Sequence, residues 1–141
     1  MKRFAAVLLV LLCSIAPAQD TLSATVKSIT KTGVFAFGGV GFAGKISQGE
    51  LDFRVIQSQP AAVALGSFEK IYATGDPAAK SYALVGIRQL DRERFKEILQ
   101  SLGGSQEMVF TMHGCIMEKH RLVDVAIAID AGNYDGWLKR R

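Results

Sequence analysis

The tetrapeptide Thr74-Gly75-Asp76-Pro77 constrains the fold of this chain more than any other stretch. A glycine just past a helix supplies a C-terminal stop, and an aspartate caps the first turn of the next helix. A proline at the first helical position sacrifices no hydrogen bond, because that N–H has no intrahelical partner. Apolar residues recur at helical spacing on both sides. Before the turn, Ala61, Ala64, Leu65, Phe68, Ile71 and Tyr72 form one stripe. After it, "AAKSYALVGIRQL" is apolar over most of its circumference, with Ala79, Ala83 and Gly86 making a small-residue face that lets a neighbour approach closely. A helix of that kind is expected at the centre of its domain.

Neighbouring signals extend the helical pattern. Asp91 is placed to cap a further helix with Phe95, Ile98, Leu99 and Leu102 inward, ended by Gly103-Gly104. Upstream, Ser47-x-x-Glu50 has capping-box spacing and opens a helix running to about Ser58. The stretch "GDPAAKSYALVGIRQLDRERFKEIL", residues 75–99, resembles one helical hairpin of HEAT-like repeats, with a capped Asp-Pro start, an Ala-rich inner helix and a second capped helix. No longer period recurs along the chain. The resemblance implies packed antiparallel helices, and scaffolding or binding rather than catalysis.

Three other segments carry strand or loop patterns. "TLSATVKSIT", residues 21–30, alternates Leu22, Ala24 and Val26 with polar residues and reads as a half-buried strand. Val34 to Phe37 is a short apolar run, and the glycine-rich residues 38–44 break regular structure, with Phe35, Phe37 and Phe42 expected in the core. "EMVFTMHGCIM", residues 107–117, suits an extended segment, followed by a last helix over roughly 119–131. Tyr134, Trp137 and Leu138 are expected to fold back onto the body. The fold class expected is mainly α, with packed antiparallel helices, a short N-terminal β element and an extended segment near 108–114. One domain is expected over 19–141, divided into a β/Gly-rich part at 19–46 and a helical body at 47–141.

The N-terminus reads as an export signal. Met1-Lys2-Arg3 is a basic start, Phe4 to Ala16 is an apolar run too short for a membrane anchor, and Ala16-Pro17-Ala18 is an A-x-A cleavage signature. Residues 1–18 are expected to be removed, leaving a periplasmic or secreted chain that starts at Gln19. Loss of Lys2 and Arg3 lowers the 17 basic side chains to 15 against 13 acidic, a net charge of about +2. The basic triplet Lys139-Arg140-Arg141 reads as a solvated tail. Nucleic acid and a permanent membrane span are therefore not expected, and another envelope or secreted protein is the expected partner. Cys13 leaves with the signal, so Cys115 has no intramolecular disulfide partner.

Two stretches invite a chemical reading. In "FGGVGFAGKISQGE", residues 37–50, Gly39, Gly41 and Gly44 match G-x-G-x-x-G, and Gly44-Lys45 resembles the end of a P-loop. Ile46 stands where a P-loop needs a hydroxyl for magnesium, and no acidic residue follows at the distance a dinucleotide fold requires. The stretch reads instead as a boundary before the helical body. The second stretch gathers Met108, Met112, Met117, His113, His120 and Cys115 within residues 108–120. Thioether, thiolate and imidazole together suit Cu(I), so Met112, His113, Cys115, Met117 and His120 are the candidate metal ligands. His113 and Cys115 would share one strand face, with Met112 on the other, and His120 would join only if the chain turned back. Core packing by Met and Cys accounts for the same cluster. A Cys115 nucleophile lacks a local motif and a third orienting residue. A non-enzymatic interaction protein is the leading expectation, and a periplasmic soft-metal binder is the alternative.

Overall fold

The computed structural model describes residues 16–139, with side chains from Gln19 onward. Most of the expected export signal, and Arg140-Arg141, lie outside the described residues. The chain is mainly α with a minor β part. Helix α1 (Ala16–Ile29) is followed by the hairpin β1 (Gly39–Val40) and β2 (Lys45–Ile46), then α2 (Gln48–Gln57), α3 (Ala61–Thr74), α4 (Pro77–Leu90) and α5 (Arg92–Ser101). A 3-10 turn at Leu102–Gly104 leads to β3 (Met108–His113) and β4 (Ile116–Arg121), then α6 (Leu122–Asp130) and the single turn α7 (Asp135–Leu138). No helix among the described residues is long and apolar enough to cross a membrane.

Helix α4 lies at the centre, against α2, α3, α5, α6 and β3. Every residue from Ser81 to Ile87 is buried. Its small-residue face does what the sequence suggests at Gly86, where an added Cβ would lie 2.3 Å from the Phe68 ring. The turn before α4 is doubly fastened. Asp76 Oδ1 accepts from the Ala79 N–H at 2.8 Å, capping α4, while Oδ2 accepts from the Gly33 N–H at 2.9 Å. The carboxylate thus ties the end of α1 to the start of the central helix, beyond the local cap that its position predicts.

The stretch between α1 and β1 is fastened by side chains as well as by backbone bonds from Phe35 to Phe110 and Met112. Phe35 and Phe37 are buried, and their rings meet Tyr82, Phe53 and Tyr134. The Tyr82 hydroxyl donates to Ala36 O at 2.6 Å and accepts from the Ala36 N–H at 3.0 Å. Ser47 Oγ accepts from the Glu50 N–H, as a cap should. The reciprocal half of the expected capping box is replaced: the buried Glu50 carboxylate accepts from the Gly38 N–H at 2.7 Å and from Arg54. Gly38 has φ +84°, and Trp137 from α7 closes over it, leaving no room for a side chain.

Three expectations need correction. Residues 21–29 form most of α1, with Thr30 in the turn that follows, and are not a strand. Leu22, Val26 and Ile29 also sit at helical spacing, and packing of that stripe against α2 and α3 decides an ambiguous pattern. The N-terminal β element is instead the short hairpin at 39–46. Phe42 is fully exposed at the tip of that hairpin, while Phe35 and Phe37 are buried. The last helix starts at Leu122, because residues 116–121 pair with β3 as a strand.

Candidate functional site: the outer face of the β3–β4 hairpin

Gly114, with φ +56°, and Cys115 form a two-residue turn that folds β4 back along β3. Tight hairpin turns of this length demand left-handed backbone, which glycine adopts without a Cβ clash. The register pairs Met108 with Arg121, Val109 with His120, Phe110 with Lys119, Thr111 with Glu118, Met112 with Met117, and His113 with Ile116. Directly opposed residues project from the same side of a sheet, and successive residues alternate. Val109 and Thr111 point into the body and are buried. The outer face therefore carries Met108, Phe110, Met112, Met117, Lys119 and Arg121.

This arrangement sorts the expected ligands by type. Met112 and Met117 oppose each other on the outer face, in the pair next to the one that closes the turn. His113 and His120 project from the other face. His113 stacks at 6.5 Å from the Tyr134 ring, and His120 Nε2 lies 3.3 Å from Glu118 Oε2. Cys115 is exposed in the turn itself. The chain does turn back toward His120, but the strand period places both imidazoles away from both thioethers. Among the described residues no group of three or more His, Cys, Asp or Glu is arranged to hold a metal.

What the outer face presents is apolar and cationic. Phe110 is 46 % exposed, Met117 54 % and Met108 39 %. Lys119 Nζ lies 5.5 Å from the Phe110 ring centroid, within cation–π range. Arg121 makes paired 2.9 Å bonds to Asp124, which hold the Asp124 carboxyl below the usual carboxylate range. The two hairpins meet at their tips, where the Gly41 N–H donates to Gly114 O at 2.8 Å. The exposed Phe42 and Ile116 thus stand near the same end of the molecule. Methionine side chains are flexible and polarizable and adapt to varied partners.

The sequence cluster included the methionines but missed Phe110, Lys119 and Arg121 as companions on the same face. The missing signal was the Gly114-Cys115 turn, which makes Met108, Phe110 and Met112 one alternating set and extends it across to Met117 and Lys119. Elsewhere, an open groove of about 520 Å³ between α1 and α3 is lined mainly by Leu22, Val26, Pro60, Val63 and Gly66. Lys70 is the one ionisable side chain among its described lining residues. Set against known proteins, the chain matches no family model, no curated protein and no solved structure.

Proposed function

We propose that this chain is a small exported protein, periplasmic or secreted and non-enzymatic, that works by binding another envelope or secreted protein through the outer face of the β3–β4 hairpin. The observation that carries this reading is the composition of that face. Three methionines and a phenylalanine on a solvent-facing sheet surface, bordered by Lys119 and Arg121, resemble the enriched residues of a protein interface. The export part rests on the basic start, the apolar run and Ala16-Pro17-Ala18. Cell fractionation with N-terminal sequencing tests it: a chain starting at Gln19 outside the cytoplasm supports export, and an intact N-terminus in the cytoplasm refutes it. The binding part is tested by placing a photo-crosslinking residue at position 110 in cells. An adduct to one partner protein, abolished by Met117→Glu, supports the surface. Absence of any adduct at 110 counts against it.

A second reading rests on the Met112–Met117 pair with Cys115 in the turn between them. Two thioethers and a thiol suit Cu(I), with His113 and His120 left outside the site. Titration with Cu(I) against a competing chelator decides it, since an affinity unchanged by both Cys115→Ser and Met112→Leu removes the case.

A further inference from the structure

The geometry points to strand addition: the open edge of β4 takes up an extended segment of a partner protein, with an acidic side chain opposite Lys119 and an apolar one opposite Met117. This rests on the hairpin being the partner surface and specifies how the partner is held. The far edge of β3 is already covered by the segment 35–41, which runs parallel to it. The Phe35 N–H donates to Phe110 O at 2.8 Å, Phe35 O accepts from the Met112 N–H at 3.0 Å, and Gly41 reaches Gly114. Residues 110 and 112 therefore direct their backbone groups away from β4. Antiparallel ladders alternate inward and outward pairs, so the opposed residues Lys119 and Met117 direct theirs away from β3. Those outward N–H and C=O groups meet no hydrogen-bond partner among the described residues. Side chains along β4 are exposed or half-buried. A row of unpaired backbone groups is a template for another strand.

Charge selects the occupant. A second copy lying antiparallel along β4 can match the outward groups in two registers that overlap most of the strand. One sets Glu118 against Glu118 and the other sets Lys119 against Lys119, and like charges directly opposed destabilise a pair. A strand from a different protein avoids both conflicts. Arg121 is already paired with Asp124, which leaves Lys119 as the outer-face cation without an ion-pair partner among the described residues. A complementary segment therefore carries Asp or Glu opposite Lys119 and an apolar residue two positions away, opposite Met117.

The test uses purified protein in the form the cells accumulate, titrated with end-capped fluorescent peptides of alternating valine and threonine. One peptide carries a glutamate, a second carries lysine in its place, and a third is the glutamate peptide N-methylated at the backbone nitrogens that face the edge. The glutamate peptide is expected to bind, and N-methylation to weaken it by about tenfold or more through lost backbone hydrogen bonds. Lys119→Pro is expected to cause a similar loss. Proline is tolerated where the edge N–H points outward, and the melting temperature verifies the fold. Lys119→Ala should abolish only the preference for glutamate over lysine. Equal binding of methylated and unmethylated peptides overturns strand addition, whether or not Lys119→Pro folds. Equal binding of the acidic and basic peptides overturns the charge selection. Dimerisation of the protein lost in Lys119→Pro overturns it in favour of a second copy. No peptide binding while a partner still crosslinks at position 110 overturns the inference and leaves the proposed function standing.

Discussion

The Tyr82 hydroxyl engages both backbone groups of Ala36, donating to its carbonyl at 2.6 Å and accepting from its N–H at 3.0 Å. A side chain from the central helix thereby stands in for a strand partner and fixes the irregular segment between α1 and α2. Burial pushes the phenol up to about 12, the negative charges of Glu50 and Asp52 adding to that push and the bonds to Ser47 and Ala36 opposing it. The folded state favours the protonated phenol. Tyr82 therefore contributes full stability below pH 10, and that contribution is lost as pH rises through 10 toward 12, by up to roughly 3 kcal/mol. Urea unfolding across pH 9–12 should show the decline, and Tyr82→Phe should reduce it, leaving the part that the burial-raised phenols of Tyr72 and Tyr134 contribute. The same variant should cost about 1–3 kcal/mol at neutral pH, because Ala36 loses partners in a buried setting. An unchanged alkaline slope in Tyr82→Phe would place the titration elsewhere.

Gly86→Ala tests the close approach of α3 to α4. The new methyl would sit 2.3 Å from the Phe68 ring. Overpacking of this kind costs about 1–3 kcal/mol, against at most about 1 kcal/mol gained by alanine in a helix. A net loss of stability is expected in chemical denaturation. A stabilised variant would mean that the two helices are less tightly packed than described.

Gly38→Ala tests the C-terminal closure. The residue has φ +84°, and a methyl there would lie 2.7 Å from the Trp137 ring. The strained backbone alone costs about 1–2 kcal/mol, and displacement of the indole adds to it. A stability loss of about 2 kcal/mol or more should come with a red-shifted fluorescence from Trp137, the single tryptophan of the chain. A destabilised protein with unchanged emission would separate the backbone effect from the ring contact.

Phe110→Glu should leave stability within about 1 kcal/mol, as expected for a solvent-facing strand position whose neighbours Val109 and Thr111 carry the packing. Thermal melting provides the measurement. A large loss would mean that Phe110 belongs to the core and not to a binding face.

Much of the fold was legible because the chain punctuates its helices with chemistry that has few alternatives. Gly75-Asp76-Pro77, Asp91 and Ser47 all cap where they should. The misread segments lack such punctuation. Residues 21–30 satisfy both the strand and the helical period, so packing against α2 decided the outcome. Gly114-Cys115 is a weaker hairpin signal than Asn-Gly, and without it residues 119–121 read as the start of the last helix although they belong to β4. The candidate site followed from that turn. The sequence shows that methionine, histidine and cysteine are concentrated at 108–120, but only the register places the three methionines on one side with Phe110 and Lys119, and the histidines on the other. Glu50 illustrates a further limit, since its partner Gly38 belongs to the preceding loop and not to the helix it opens.

The central claim is that the outer face of the β3–β4 hairpin binds a partner protein outside the cytoplasm. Photo-crosslinking in cells from position 110, compared with the exposed position 93 on α5, tests it most directly. The account predicts one discrete protein adduct from 110, its loss on Met117→Glu, and no such adduct from 93. The same adduct from both positions, or none from 110 in protein confirmed as folded and exported, would contradict it.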